Sequence, residues 1–113
     1  MTQIFHNPRC SKSRSTLAIL EENKEEIEIV EYLKSSPSEE DIKNILSMLG
    51  LAPLQLIRKG EAIYKSDFKG KDLSDGEWIQ AMVEHPILIE RPIVIKNGKA
   101  MIGRPPESVI SIL

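Results

Sequence analysis

Apolar positions recur along this chain with changing period, and each change marks an element. Thr2 to His6 reads as a short strand that stops at Asn7-Pro8. Beyond Cys10 the spacing turns helical, with Leu17 and Leu20 on one face and Glu21, Glu22 and Lys24 at the polar end. Glu26 to Glu31 alternates Glu-Ile-Glu-Ile-Val-Glu, the two-residue period of a second strand. A helix is then predicted from Pro37-Ser38 onward. Ser38 and Asp41 form a capping-box pair, Ile42, Ile45, Leu46 and Leu49 fall at i, i+3, i+4 and i+7, and Gly50 sits at the stop.

Leu51 to Asp72 is less regular, with helical fragments around Leu54 and Ile63. Ser74 and Glu77 form another capping pair before Trp78, Ile79, Met82 and Val83, and His85-Pro86 ends that helix. Ile93-Val94-Ile95 is a β-branched run, Asn97-Gly98 is a strong hairpin turn, and Ala100-Met101-Ile102 is the returning strand. Pro105-Pro106 opens a last helix containing Val109, Ile110 and Leu113. The order β-α-β, helical middle, β-β-α predicts an α/β fold with one mixed sheet and helices on its faces. The first β-α-β is expected to be a right-handed parallel unit and the hairpin to add antiparallel strands. The crossover between the second and third strands, residues 37–86, is long enough to form a small helical subdomain.

Composition narrows the class. The 113 residues suit a single domain spanning 1–113, and 41 % hydrophobic with 28 % charged residues suits an ordinary globular chain. A net charge of −2 gives no basic footprint for nucleic acid. Met1-Thr2-Gln3-Ile4-Phe5 turns polar at once, so no signal peptide is expected, and no stretch approaches a membrane span. A cytoplasmic home follows as the default, and there a lone thiol stays reduced. With one cysteine no intramolecular disulfide can form, and with two histidines no metal site is expected.

The candidate chemistry gathers around that cysteine. In His6-Asn7-Pro8-Arg9-Cys10-Ser11-Lys12-Ser13-Arg14 a strand ends, a proline-containing turn follows, and Cys10 stands at the mouth of a helix. Backbone N–H groups at a helix start are unpaired and carry partial positive charge, so they favour an anion there, either a thiolate or a bound oxyanion. Arg9, Lys12 and Arg14 add cations, and the thiolate is the nucleophilic form. Ser13 occupies the position of the second cysteine in a dithiol motif, so any disulfide formed in turnover needs an external thiol. Ser13 is a candidate donor to the thiolate and His6 a candidate polarising group, although a histidine closing a strand is also a common structural residue. Asn7 is suited to ordering the turn through its own side chain.

Three arginines border apolar segments: Arg58 after Leu56-Ile57, Arg91 before Pro92-Ile93-Val94, and Arg104 after Gly103. Taken singly, each reads as a surface cation in a weak ion pair. Converging on Cys10, their forked donors would hold a tetrahedral oxyanion. Pro92, ahead of a β-branched strand, is a candidate cis peptide that would present backbone to a bound thiol.

His-Asn-Pro-x-Cys-x-x-Ser-Arg-x-Thr-Leu near the N-terminus resembles the arsenate reductases linked to glutaredoxin. So do Leu56-Ile57-Arg58-Lys59, the stretch from His85 to Val94, and Gly103-Arg104-Pro105-x-Glu107. The resemblance is closest to the small bacterial arsenate-reductase-like proteins with Pro-Arg-Cys-Ser-Lys-Ser-Arg at the site. It implies a thioredoxin-like fold with a helical insertion, Cys10 as nucleophile, and Arg58, Arg91 and Arg104 as the oxyanion-binding arginines. It implies arsenate as substrate, glutathione as co-substrate with no bound cofactor, and glutaredoxin as partner; a monomer is expected.

Where established reductases usually carry Cys-Gly-Thr-Ser, this chain has Cys10-Ser11-Lys12-Ser13, which alters the loop that meets the anion. Two rival readings stand beside the reductase. One is a regulator of the Spx type that binds RNA polymerase, against which the missing second cysteine counts. The other is a glutathione-dependent thiol transferase without arsenate activity.

Overall fold

The computed structural model describes residues 1–113. They form two compact units, Met1–Ser35 with Arg91–Leu113 and the intervening Ser36–Glu90.

The first unit is built on a four-stranded sheet of order β2-β1-β3-β4: β1 (Thr2–Phe5), β2 (Ile27–Val30), β3 (Ile93–Lys96) and β4 (Lys99–Ile102). β1 pairs parallel with β2, as the β-α-β order predicts, and antiparallel with β3, setting Ile4 opposite Val94. Helix α1 (Ser11–Glu22) supplies the crossover. The β3–β4 hairpin turns at Asn97 and Gly98, both at positive φ (52° and 74°), which suits the right-handed twist of the flanking strands. The core between sheet and helices joins Ile4, Leu20, Val94 and Val109, all fully buried, with Leu17, Ile19, Met101 and Ile112 partly buried against them. Removing such side chains from water is the main driving force for this layer.

The last helix is not α-helical. Pro106–Ile112 is a 3-10 helix, and its burial follows the three-residue period: Val109 is buried, Pro106 and Ile112 are half-buried, and Ile110 stays 51 % exposed. Its β-branched and serine residues are weak α-formers, so nothing local opposes the tighter winding.

The second unit contains α2 (Glu39–Leu49) and α3 (Asp75–Glu84). Both begin with the expected capping boxes. Ser38 Oγ accepts from the Asp41 amide at 3.1 Å and Ser74 Oγ from the Glu77 amide at 3.2 Å, and each acidic side chain accepts the cap residue's own amide in return. Gly50 ends α2 in the left-handed region at φ 69°, returning its N–H to the Leu46 carbonyl at 2.8 Å. Ile42, Ile45 and Leu46 of α2 and Trp78, Ile79, Ala81 and Met82 of α3 are buried. The irregular stretch holds a 3-10 turn at Pro53–Leu56 and a π-helical turn at Tyr64–Phe68. Phe68 packs its ring on Trp78 with centroids 6.0 Å apart. No helix of the chain is long and apolar enough to cross a membrane.

Candidate active site

Strand β1 delivers the cysteine loop. The His6 amide extends the ladder by donating to the Val30 carbonyl at 2.9 Å, after which the chain turns. Asn7 orders that turn from both its ends: its Oδ1 accepts from the Arg9 amide at 3.0 Å, and its carbonyl accepts from the Cys10 amide at 3.0 Å. Cys10 is the N-cap of α1 in extended conformation, half-buried, and its side chain makes no capping hydrogen bond. The thiol therefore sits beside helix-start donors that no side chain has taken.

Behind the loop lies a buried polar cluster. Ser13 is fully buried; its Oγ accepts from the Asn7 amide at 3.1 Å and lies 2.6 Å from His6 Nδ1. The tautomer of His6 decides what Ser13 can do next. With Nδ1 unprotonated, the hydroxyl proton is spent on the ring. With Nδ1 protonated, the oxygen accepts twice and its own proton is left for another acceptor. Burial pushes the His6 ring below its ordinary value of 6.5; Glu31 opposes that shift and Arg14 adds to it. Arg14 itself donates from Nη1 to the Pro8 carbonyl at 2.9 Å, which braces the loop. Ser11 and Lys12, the two departures from the usual motif, face solvent.

Arg91 and Arg104, both half-buried, are tied together. Each precedes a cis proline, at Arg91-Pro92 and Arg104-Pro105, and Arg104 Nε donates to the Arg91 carbonyl at 2.9 Å. Between them Gly103 donates its N–H to the Pro92 carbonyl at 2.9 Å. A Cβ at Gly103 would stand 2.5 Å from Thr16 Oγ1 and 2.7 Å from Pro92 Cγ, so only glycine fits here. Thr16 is fully buried on α1 and donates to the Lys12 carbonyl at 2.8 Å. Gly103 thus seats the Arg91 and Arg104 segments on the second turn of the cysteine's helix.

Arg58 belongs to the second unit. A short antiparallel bridge holds its backbone: Ile57 pairs with Ile89, the Arg58 amide donates to the Leu88 carbonyl at 2.7 Å, and the Glu90 amide donates to the Leu56 carbonyl at 2.8 Å. Its guanidinium meets two carboxylates, Glu61 at 3.2 Å from Nη1 and Glu90 at 3.2 Å from Nε. An open cleft of about 320 Å³ borders it, lined by Leu54, Gln55, Ile57, Lys59 and Gly60 as well as Arg58 and Glu90. No group of three or more His, Cys, Asp or Glu residues is placed to hold a metal ion.

Sequence reasoning missed four of these residues. Glu61 stands outside every motif, and Thr16 and Glu90 are only positions within one, with no role of their own. Gly103 was noticed only as part of a motif, and its place before Arg-Pro was the one usable signal.

The family model described as the ArsC family matches residues 5–112. The uncharacterized protein YfgD of Escherichia coli (strain K12) is 48 % identical over 113 residues, covering 98 % of this chain and 95 % of that one. An arsenate reductase of Haemophilus influenzae is 49 % identical over 113 residues, covering 97 % of each. Among solved structures, an arsenate reductase from Vibrio cholerae superposes with a TM-score of 0.94 at 47 % identity, covering 99 % of this chain and 97 % of that one.

Proposed function

The chain belongs to the ArsC family, and from that premise we propose that it reduces arsenate to arsenite through a Cys10 thiolate, with glutathione and glutaredoxin as electron donors. Relatives that carry the name arsenate reductase, at 42 to 49 % identity over nearly their whole length, support the substrate. The observation that carries the chemistry is the lone thiol at the uncapped start of α1.

The proposed sequence balances as follows. The Cys10 thiolate attacks arsenic(V), a sulfur–arsenic bond forms, and an oxygen leaves as water after protonation. A glutathione thiolate then attacks the Cys10 sulfur. The sulfur–arsenic bond breaks, its electron pair goes to arsenic, and arsenite departs as arsenic(III). Cys10 and glutathione are left as a mixed disulfide, which a glutaredoxin thiol resolves by taking the glutathionyl group. One cysteine per chain requires this outside help. The chemistry needs no bound cofactor, and a supply of reduced glutathione fits a cytoplasmic monomer.

Arg58, Arg91 and Arg104 are the proposed oxyanion ligands, each offering a planar fork of donors. His6 and Ser13 act as a relay: the Nδ1-protonated tautomer frees the Ser13 hydroxyl to stabilise a Cys10 thiolate. Asn7 and Arg14 hold the loop, and Pro92 presents backbone to the incoming thiol.

The test is arsenate-dependent NADPH consumption in the presence of glutathione, glutaredoxin and glutathione reductase. Wild type should turn over, and Cys10→Ser should lose essentially all activity with an unchanged far-ultraviolet spectrum. A folded, reduced wild type without activity would overturn the reductase reading and leave the thiol transferase, to be sought with disulfide substrates.

A further inference from the structure

The two carboxylates around Arg58 are unexplained by oxyanion capture, since they carry the sign of the substrate. Glu61 and Glu90 approach different nitrogens of one guanidinium, each at 3.2 Å, and all three side chains are largely shielded, at 21 to 24 % exposure. Arg58 Nη1 is buried yet makes no hydrogen bond, even though Glu61 lies beside it. A carboxylate built to orient an arginine uses the paired fork, two parallel N–H···O bonds to one group. Here the contacts are split between two groups, and the Glu61 contact is electrostatic without alignment. Arg58 is thus flanked by two carboxylates of the same sign as an incoming anion.

We propose that Glu61 and Glu90 are competing counter-ions that set the affinity of Arg58 for the oxyanion. This rests on the reading of Arg58 as an oxyanion ligand. In the free protein they neutralise the guanidinium while leaving Nη1 without a hydrogen bond. An arriving tetrahedral anion offers the buried Nη1 the hydrogen bond it lacks and displaces carboxylate from it. The carboxylates thereby weaken anion binding in general, and they favour ligands with enough charge and enough oxygen atoms to win the exchange. Arsenate and phosphate meet that demand better than a monovalent anion does.

The inference predicts a gain of affinity on mutation. Glu61→Gln and Glu90→Gln keep the shape and remove the charge, and each should lower the KM for arsenate by about two- to fivefold, the range of a partly exposed ion pair. The same substitutions made in Arg58→Ala protein should leave the already raised KM where it is. Either single variant suffices if the other fails to fold, as judged by circular dichroism. A KM unchanged or raised in both variants would show that the carboxylates orient Arg58 and overturn the proposal. So would an equal fall of KM in the Arg58→Ala background, which would mark a general charge effect. If Arg58→Ala alone leaves KM unaltered, the oxyanion role of Arg58 fails first and the proposal goes with it.

Discussion

His6 is tied to the protein by three different forces: a strand hydrogen bond through its backbone, a short contact to Ser13 through Nδ1, and burial of its ring. Burial has a thermodynamic consequence. The unfolded chain titrates His6 near 6.5, while the native state takes up that proton only at lower pH. On acidification through that window the unfolded state binds more protons, so stability falls as pH drops below about 7 and levels off once native His6 is itself charged. His6→Gln should flatten this loss, which the melting temperature at pH 7.5, 6.5 and 5.5 will show. An equally steep loss in the variant would assign it to other groups. The sequence placed His6 and Ser13 near the thiol but could not show that they contact each other. Their contact spans seven residues and depends on where the turn at Asn7-Pro8 sends the chain.

At the scale of elements, α1 shows how a site distorts a pattern. Its buried face is Ser13, Thr16 and Leu20, so two of its three buried positions are polar. A helix packed only for stability would bury apolar side chains there. Thr16 instead leaves room for the backbone of Gly103. Gly103→Ala should cost about 1 to 3 kcal/mol in urea denaturation, as overpacking does. It should also raise the KM for arsenate by moving Arg104. Adding Thr16→Ala removes the hydroxyl and methyl that the new Cβ meets, and should restore part of both losses. No recovery would mean that the crowding lies with Pro92 alone.

Elements whose signals are local were legible in the sequence. The two capping boxes, Gly50 and Asn97-Gly98 each fix a boundary with residues a few positions apart. The bridge between Ile57 and Ile89 was not legible, because its partners are remote and its strands are too short to show a period. The 3-10 winding of the last helix was hidden as well, since prolines and β-branched residues mark a helix start without fixing its pitch.

On the scale of the molecule, the sheet of the first unit is assembled from both ends of the chain. β1 and β3 are its inner strands, and β2 and β4 its edges. Inner strands have both ladders filled and open only with the whole unit. Backbone amides of Ile4, Phe5 and Val94 should therefore exchange hydrogen most slowly, and those of β2 and β4 faster, by nuclear magnetic resonance in deuterated water. Comparable rates across the sheet would show that it opens as a single block.

The pairing of β1 with β3 also sets an order of events during synthesis. Phe5 is made 88 residues before its antiparallel neighbour Ile93. At typical elongation rates that interval is roughly 5 to 20 s. Ser36–Glu90 lies wholly between the two, so every residue of this unit is made while the first strand still waits for its central partner. The unit begun before Ser36–Glu90 is completed only after it, and the cysteine loop is held in its final frame only once β3 has been made.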